Sequence, residues 1–179
     1  VDTLDARHIA DLVAASFLIP LFDVGVSIPT RRAGDSVAIA DVCGRIDYVQ
    51  PGGSTLLDRG VYDPISLRAE YLRRVAPEAH IEEVQAGYLK GVAEQAPAVI
   101  SLNMRAAAAC VMELIARAYP FRHGPNGDQA RTEFSLAANE EDFTTEKSFE
   151  KQPNPTLGRG AAEPLLGLPA LRAPKAKGK

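Results

Sequence analysis

The sequence predicts an α/β protein: a mixed sheet with helices against it and one long alanine-rich helix packed on its face. Three observations carry this. An apolar run at 19–28 (IPLFDVGVSI) follows a helix-like segment with almost no loop, so the two form one αβ unit. Its length, its β-branched and aromatic content and the apolar character of both its faces read as a strand inside a parallel sheet. Further on, residues 97–119 form the longest apolar helical pattern in the chain, opened by a proline and closed by another.

Composition bounds the rest. The 179 residues suffice for one sizeable core. With 46% hydrophobic and 24% charged residues the chain has the makeup of a globular protein. Twenty basic against twenty-three acidic residues leave it near neutral, which argues against nucleic acid as the main partner. Two cysteines, Cys43 and Cys110, are too few for a disulfide framework and suit a reducing cytoplasm. Asp2, Asp5, Arg7, His8 and Asp11 break any apolar leader in the first segment. The chain opens on Val1, and we read it as a partial chain whose preceding half is absent.

Taken in order, residues 4–18 place Leu4, Ile9, Leu12, Val13 and Phe17 on one helical face, with Asp2 or Thr3 as the cap. The strand 19–26 follows. Asp23, its one charge, needs a partner or a ligand if buried, and Gly25 lets another backbone or a ligand approach. A polar turn over 30–35 precedes two alternating runs, 37–39 and 46–49, on either side of Gly44, which read as strands or a hairpin. Pro51, Gly52, Gly53 and Ser54 form a loop. A short helix over 66–75 ends at Pro77, and 80–96 is ambiguous between helix and a flexible crossing segment. The helix at 97–119 is no membrane span, because Asn103, Arg105 and Glu113 fall inside its apolar window. Ala106–Ala109 suit close packing on a sheet. Residues 131–136 and 142–146 read as a final β-ribbon. The domain is thus expected over 1–150, with a Pro/Gly-rich, extended or disordered tail over 151–179.

Chemistry-bearing residues are few. His8, His80 and His123 share no metal or triad spacing with each other or with the cysteines. Cys110 reads as a small buried hydrophobe, while Cys43, beside Gly44, is the candidate reactive thiol. Asp2 stands where a strand ends and a helix begins. That is where doubly wound folds bind ligands, so its carboxylate is placed either to cap the helix or to hold a metal–phosphate group. The residues alone support the second half of an α/β nucleotide-binding domain.

The order of segments then resembles a known family. Asp2-Thr-Leu-Asp-Ala-Arg7, a helix, and Ile19-Pro-Leu…Gly25-Val resemble the second half of the Rossmann-like ThiF/MoeB/HesA fold, shared with ubiquitin-activating enzymes. Gly44-Arg-Ile…Val49-Gln-Pro-Gly52 is similar to that family's next strand and loop. Val84-Gln-Ala-Gly87 resembles the segment after its crossover loop, and Pro97-Ala-Val-Ile-Ser-Leu-Asn its long helix beneath the sheet. Gly158-Arg-Gly…Pro164-Leu-Leu-Gly-Leu-Pro169 resembles the tail of stand-alone bacterial members.

The resemblance implies an adenylyltransferase. Such an enzyme uses Mg²⁺ and ATP to join AMP to the C-terminal glycine carboxylate of a ubiquitin-like or sulfur-carrier protein, usually as a homodimer or heterodimer. By this analogy Asp2 helps position Mg-ATP, and Arg7 braces the site or reaches a phosphate. The glycine-rich phosphate loop of the family belongs before Asp2. Thr55-Leu-Leu-Asp58 stands where many members carry the first cysteine pair of a zinc site, and 148–156 holds no cysteine for the second, so no zinc is expected. Glu83 stands where some relatives carry the thioester cysteine, which leaves Cys43 or a thiol outside the chain for that role. The alternatives are a non-catalytic scaffold or dimer partner of the same fold, and an unrelated Rossmann oxidoreductase.

Overall fold

The computed structural model describes residues 3–34, 36–86 and 99–152. Thr3 starts the first helix, α1 (Leu4–Phe17), by accepting a hydrogen bond from Ala6 N through its side chain. The chain turns out of α1 at Leu18, in left-handed conformation, and enters β1 (Leu21–Ser27). A small two-stranded excursion follows, β2 (Thr30–Ala33) paired with β3 (Ser36–Ile39), before the chain returns as β4 (Cys43–Val49). After a loop come α2 (Pro64–Val75) and α3 (Pro77–Gln85). The long α4 (Ile100–Ala118), β5 (Arg131–Ser135) and β6 (Glu140–Thr144) complete the described elements.

The main sheet has the order β1-β4-β5-β6, and every neighbouring pair in it is antiparallel. The expected parallel or mixed sheet is therefore corrected: β1 is an edge strand of an antiparallel sheet. The physical reason lies in the connection. β1 and β4 are joined by the short β2–β3 excursion, which brings the chain back in the opposite direction, whereas parallel neighbours need a crossover unit. The two faces of β1 are not both apolar: Val24 joins the core under α4, while the face of Leu21, Asp23 and Gly25, which α1 approaches, carries the ionic pairs of Asp23 and the cleft.

Three smaller expectations change as well. The polar stretch at 30–35 is mostly strand β2, and the excursion pairs β2 with β3, not the two runs flanking Gly44. Gly44 sits inside β4. A methyl group there would lie 2.4 Å from the Phe134 ring, so the glycine admits a close ring contact and does not break the strand. Pro77 closes α2 but also opens α3, at the first-turn position that needs no N–H donor. The start of α2 is built by Asp63 and Ser66, which exchange side-chain and backbone hydrogen bonds at 2.8 and 3.0 Å. Pro97 and Ala98, expected to open the long helix, lie outside the described residues, as do Gly87, residues 153–179 and Asp2.

The two faces of the sheet differ in kind. On one, Ile46 and Phe134 join Leu102 and Ala106 of α4, with Val24, Ala109 and Cys110 at the margin. Arg105 stacks on the Phe134 ring at 4.5 Å and Arg117 on Tyr48 at 3.6 Å, closing that core's edges. The other face changes along the strands. Near Val49 it is apolar, with Leu56, Tyr62, Leu4 and Leu21. In the middle it is ionic, around Asp23 and Asp47. Towards Gly25 and Cys43 it opens into a cleft.

Candidate functional site

Register builds the ionic centre. Asp23 of β1 stands directly opposite Asp47 of β4, and Asp47 opposite Arg131 of β5. Arg45, two residues from Asp47, projects on the same face. Its Nη2 donates to Asp23 Oδ2 at 2.7 Å. Its Nε lies 2.5 Å from Asp47 Oδ2, where it meets the carboxylate as an ion pair and not as an aligned hydrogen bond. Arg7, one turn into α1, donates through Nε to Asp23 Oδ1 at 3.0 Å and through Nη2 to Val24 O at 3.0 Å. The partner that the sequence demanded for Asp23 is thus a pair of arginines.

Asp47, fully buried, takes two further guanidinium groups, from Arg59 at 3.2 Å and Arg131 at 2.9 Å. All five N–H donors of Arg59 are used: by Ser54 Oγ, Asp47, Ala130 O, Tyr48 O and Glu146 Oε2. Phe149 lies against both Arg59 and Arg131, at 4.8 and 5.2 Å from its ring centre. Four arginines therefore face the three carboxylates of Asp23, Asp47 and Glu146. Arg59 and Arg131 are consumed by structure. Arg7 and Arg45 remain about a fifth exposed, at 18% and 22%.

These two line a cleft of about 410 Å³ together with Gly25, Ser27, Cys43, Glu133 and Asp142. The volume lies within the range of small-molecule sites. A methyl group at Gly25 would crowd Arg45 Nη2 at 3.3 Å and sit in ordinary contact with Arg7 Nη2 at 3.8 Å, so the bare backbone lets the Arg45 head lie over the strand beside that of Arg7. Across the cleft, Glu133 and Asp142 are register partners on β5 and β6. The cleft thus carries cations on one wall and carboxylates on the other. The cation wall suits phosphate or carboxylate oxygens, since guanidinium groups present paired donors.

The start of α1 is already satisfied. Glu70 of α2 accepts from Leu4 N at 3.1 Å and Asp5 N at 2.9 Å, and Thr3 takes Ala6 N. This helix end is therefore closed to an anion by protein groups. Asp2, the expected Mg-ATP residue, lies outside the described residues, and Arg7 is found on the cleft wall.

The candidate thiol is quiet. Cys43 Sγ contacts Ser27 O at 3.6 Å, and burial pushes its thiol up, with Asp41 and Glu133 adding to the effect. Cys110 is pushed up by burial too, beside Glu113 and Asp23. Glu83, at the thioester cysteine's place, pairs with Arg68 at 2.6 Å. Thr55 and Asp58, at the place of the first cysteine pair, close a turn through hydrogen bonds of 2.8 and 3.1 Å. Among the described residues no group of three His, Cys, Asp or Glu side chains is placed to hold a metal ion, and no helix is long and apolar enough to cross a membrane.

Sequence reasoning missed Asp47, Arg45, Arg59 and Arg131. The available signal was the alternation in Arg45-Ile46-Asp47-Tyr48, which puts two charges on one face of a strand whose other face is apolar. A second missed group is Asp11 of α1, which accepts from Leu56 N, Leu57 N and Tyr62 Oη at 2.9, 3.2 and 2.7 Å. Burial raises its carboxyl despite those donors. The same burial and the nearby Asp11 push the Tyr62 phenol up, so Tyr62 stays the donor, and His8 Nδ1 lies 3.2 Å from its oxygen. Compared with protein-family models, with curated proteins and with solved structures, the chain matches none.

Proposed function

We propose that this chain forms part of a ThiF-type adenylyltransferase, which activates the C-terminal glycine of a ubiquitin-like or sulfur-carrier protein at the expense of ATP. The observation that carries the reading is the pair Arg7 and Arg45 over Gly25, at the wall of an open cleft. The element sequence supports it: a helix bearing Arg7, the strand ending near Gly25, the strand and loop from Gly44 to Gly52, and a long helix packed on the sheet occur in the order the resemblance implies.

The cleft fits the phosphate part of such a ligand, because its donors are guanidinium groups and Gly25 leaves the space a side chain would fill. When bound, ATP supplies the adenylyl group, which the carrier's carboxylate takes as pyrophosphate leaves. Arg7 and Arg45, held in place by Asp23, would neutralise charge that builds on the phosphate oxygens. Asp23 positions both without touching the ligand. Asp2 would help hold Mg²⁺ by the same resemblance, with no zinc and a cytoplasmic setting.

One observation favours a second reading, a non-catalytic scaffold or dimer partner of the same fold. Both oxygens of Asp23 and both of Asp47 are bonded to arginines, so the network is complete without a ligand. Exchange of labelled pyrophosphate into ATP separates the two. The protein in its natural full length, with a carrier ending in Gly-Gly, is expected to exchange, and Asp2→Ala to abolish it. Absence of exchange in the unaltered protein supports the scaffold, and exchange persisting in Asp2→Ala removes that residue from the role.

A further inference from the structure

A second cavity, of about 390 Å³, lies between α1 and α2, lined by Asp5, His8, Leu67, Arg68, Tyr71 and Arg74 together with Glu70. Asp5 and His8 stand three residues apart on α1, and Leu67, Tyr71 and Arg74 follow one another at four and three along α2. Such spacings put each set on one helix face, and the two faces meet across the cavity. Its volume is that of a small-molecule site.

A hydrogen-bonded chain fixes His8 in this wall. Tyr62 is buried and donates its one hydroxyl hydrogen to Asp11 at 2.7 Å. Its oxygen can then only accept, so His8 Nδ1, 3.2 Å away, carries the ring hydrogen. In the neutral imidazole the lone pair therefore falls on Nε2. That nitrogen has no hydrogen-bond partner among the described residues, and it is not sealed from solvent. Asp11 is satisfied by the phenol and two backbone N–H groups, so its burial does not need the imidazole. What the chain does is make His8 a proton acceptor with a set tautomer at the cavity wall.

The complementary group is Arg74. Its ion pair with Asp5, at 3.9 Å, is too long for a hydrogen bond, and its side chain is 60% exposed. Glu70 is no competitor, since its two oxygens accept from Leu4 N and Asp5 N. Arg68 is drawn to Glu83 at 2.6 Å. Arg74 thus keeps its planar fork for a carboxylate. It lies beside Asp5, one turn before His8, so cation and acceptor are offset by about 4.5 Å along α1. Leu67 and Tyr71 add an apolar wall. We infer that this cavity binds a small aromatic hydroxy acid, its carboxylate on Arg74, its hydroxyl donating to His8 Nε2 and its ring against Leu67 and Tyr71. The site shares no residue with the arginine cleft, so it is independent of the nucleotide reading.

Calorimetric titration of the full chain with 4-hydroxybenzoate and with benzoate tests this. The hydroxylated acid is expected to bind about tenfold more tightly, the worth of one good hydrogen bond. His8→Phe is expected to bring it down to the level of benzoate. Arg74→Gln, at an exposed position, is expected to weaken both acids about tenfold or more with an unchanged circular dichroism melt. A wild-type chain that binds no 4-hydroxybenzoate at millimolar concentration overturns the proposal, as do equal affinities for the two acids or full affinity in Arg74→Gln. The comparison of the two acids on the wild type and the Arg74→Gln result decide the matter even if His8→Phe loosens the ring contact with Tyr62.

Discussion

Asp23 and Asp47 face each other directly across β1 and β4, and the single guanidinium of Arg45 reaches both. Two carboxylates so placed repel each other, and the arginine converts a conflict between strands into a link between them. The link also aims Arg45 at the cleft. Structure and candidate site therefore share one group.

Removing that link is expected to be costly. Arg45→Met keeps the aliphatic stem and deletes the charge, leaving the paired acids with Arg7, Arg59 and Arg131 alone. Breaking a buried pair by deleting one partner costs about 3 kcal/mol or more. Urea unfolding is expected to show a loss of that order, and a midpoint unchanged from the wild type would contradict the bridging role.

Gly44 makes a second, purely steric prediction. A Cβ at Gly44 would approach Phe134 Cζ to 2.4 Å, and that ring is held between β4, Arg105 and the core around Ile46. Gly44→Ala is expected to destabilise the chain by about 1–3 kcal/mol through overpacking. The higher strand propensity of alanine cannot offset this. An unchanged thermal melt would show that the ring moves freely.

The acid buried in α1 predicts a pH dependence. Burial raises the Asp11 carboxyl above its ordinary 3.8. Between that value and its raised one, the folded chain holds a proton that the unfolded chain has lost. Stability due to Asp11 is thus greatest below pH 3.8 and falls as pH rises through the window. Asp11→Asn cannot titrate there. The stability of wild type minus that of the variant, measured by urea midpoints from acid to neutral pH, is expected to decline as pH rises; a difference that grows would contradict the assignment.

Cys43 carries a fourth expectation. Its thiol is pushed above the ordinary 9.0. Alkylation by iodoacetamide at neutral pH is therefore expected to be slower than that of an unstructured cysteine in the same chain denatured, and its rise with pH to level off at a higher pH than in the denatured chain. Fast labelling at neutral pH would restore Cys43 as a nucleophile.

Much of the fold was legible because its elements are local. The α1 helix, the β1 run, the β5–β6 ribbon and the long α4 each declare themselves within about twenty residues, but the expected face of α1 is corrected: Ile9 and Phe17 are exposed, and its buried side is Asp11, Ala14, Ala15 and Ser16. Strand direction did not declare itself. The run around Asp23 is rich in apolar residues because α4 covers one face and α1 part of the other, and coverage carries no information about whether the neighbouring strand runs parallel. Pro77 was legible as a stop for α2 but not as the start of α3, since proline serves both. The site was half legible. Asp23 announced that it needed a partner, and Gly25 that something approaches closely. Which groups answer depends on β4 and β5 lying beside β1, and Arg45, Arg59 and Arg131 are distant from Asp23 in sequence. Alternation in Arg45-Ile46-Asp47-Tyr48 marks the polar face, yet nothing local says that its charges are shared across strands.

Filling the cleft tests the central claim most directly. Gly25→Val suits a strand, and its side chain would take the space where the Arg7 and Arg45 heads lie. Binding of labelled Mg-ATP to the protein in its natural full length, measured by equilibrium dialysis at a temperature where circular dichroism shows both forms folded, is expected to weaken about tenfold or more in this variant, whose melting temperature falls because the Arg45 link to Asp23 and Asp47 is displaced too. Equal binding by folded wild type and folded Gly25→Val would contradict a nucleotide site at this cleft.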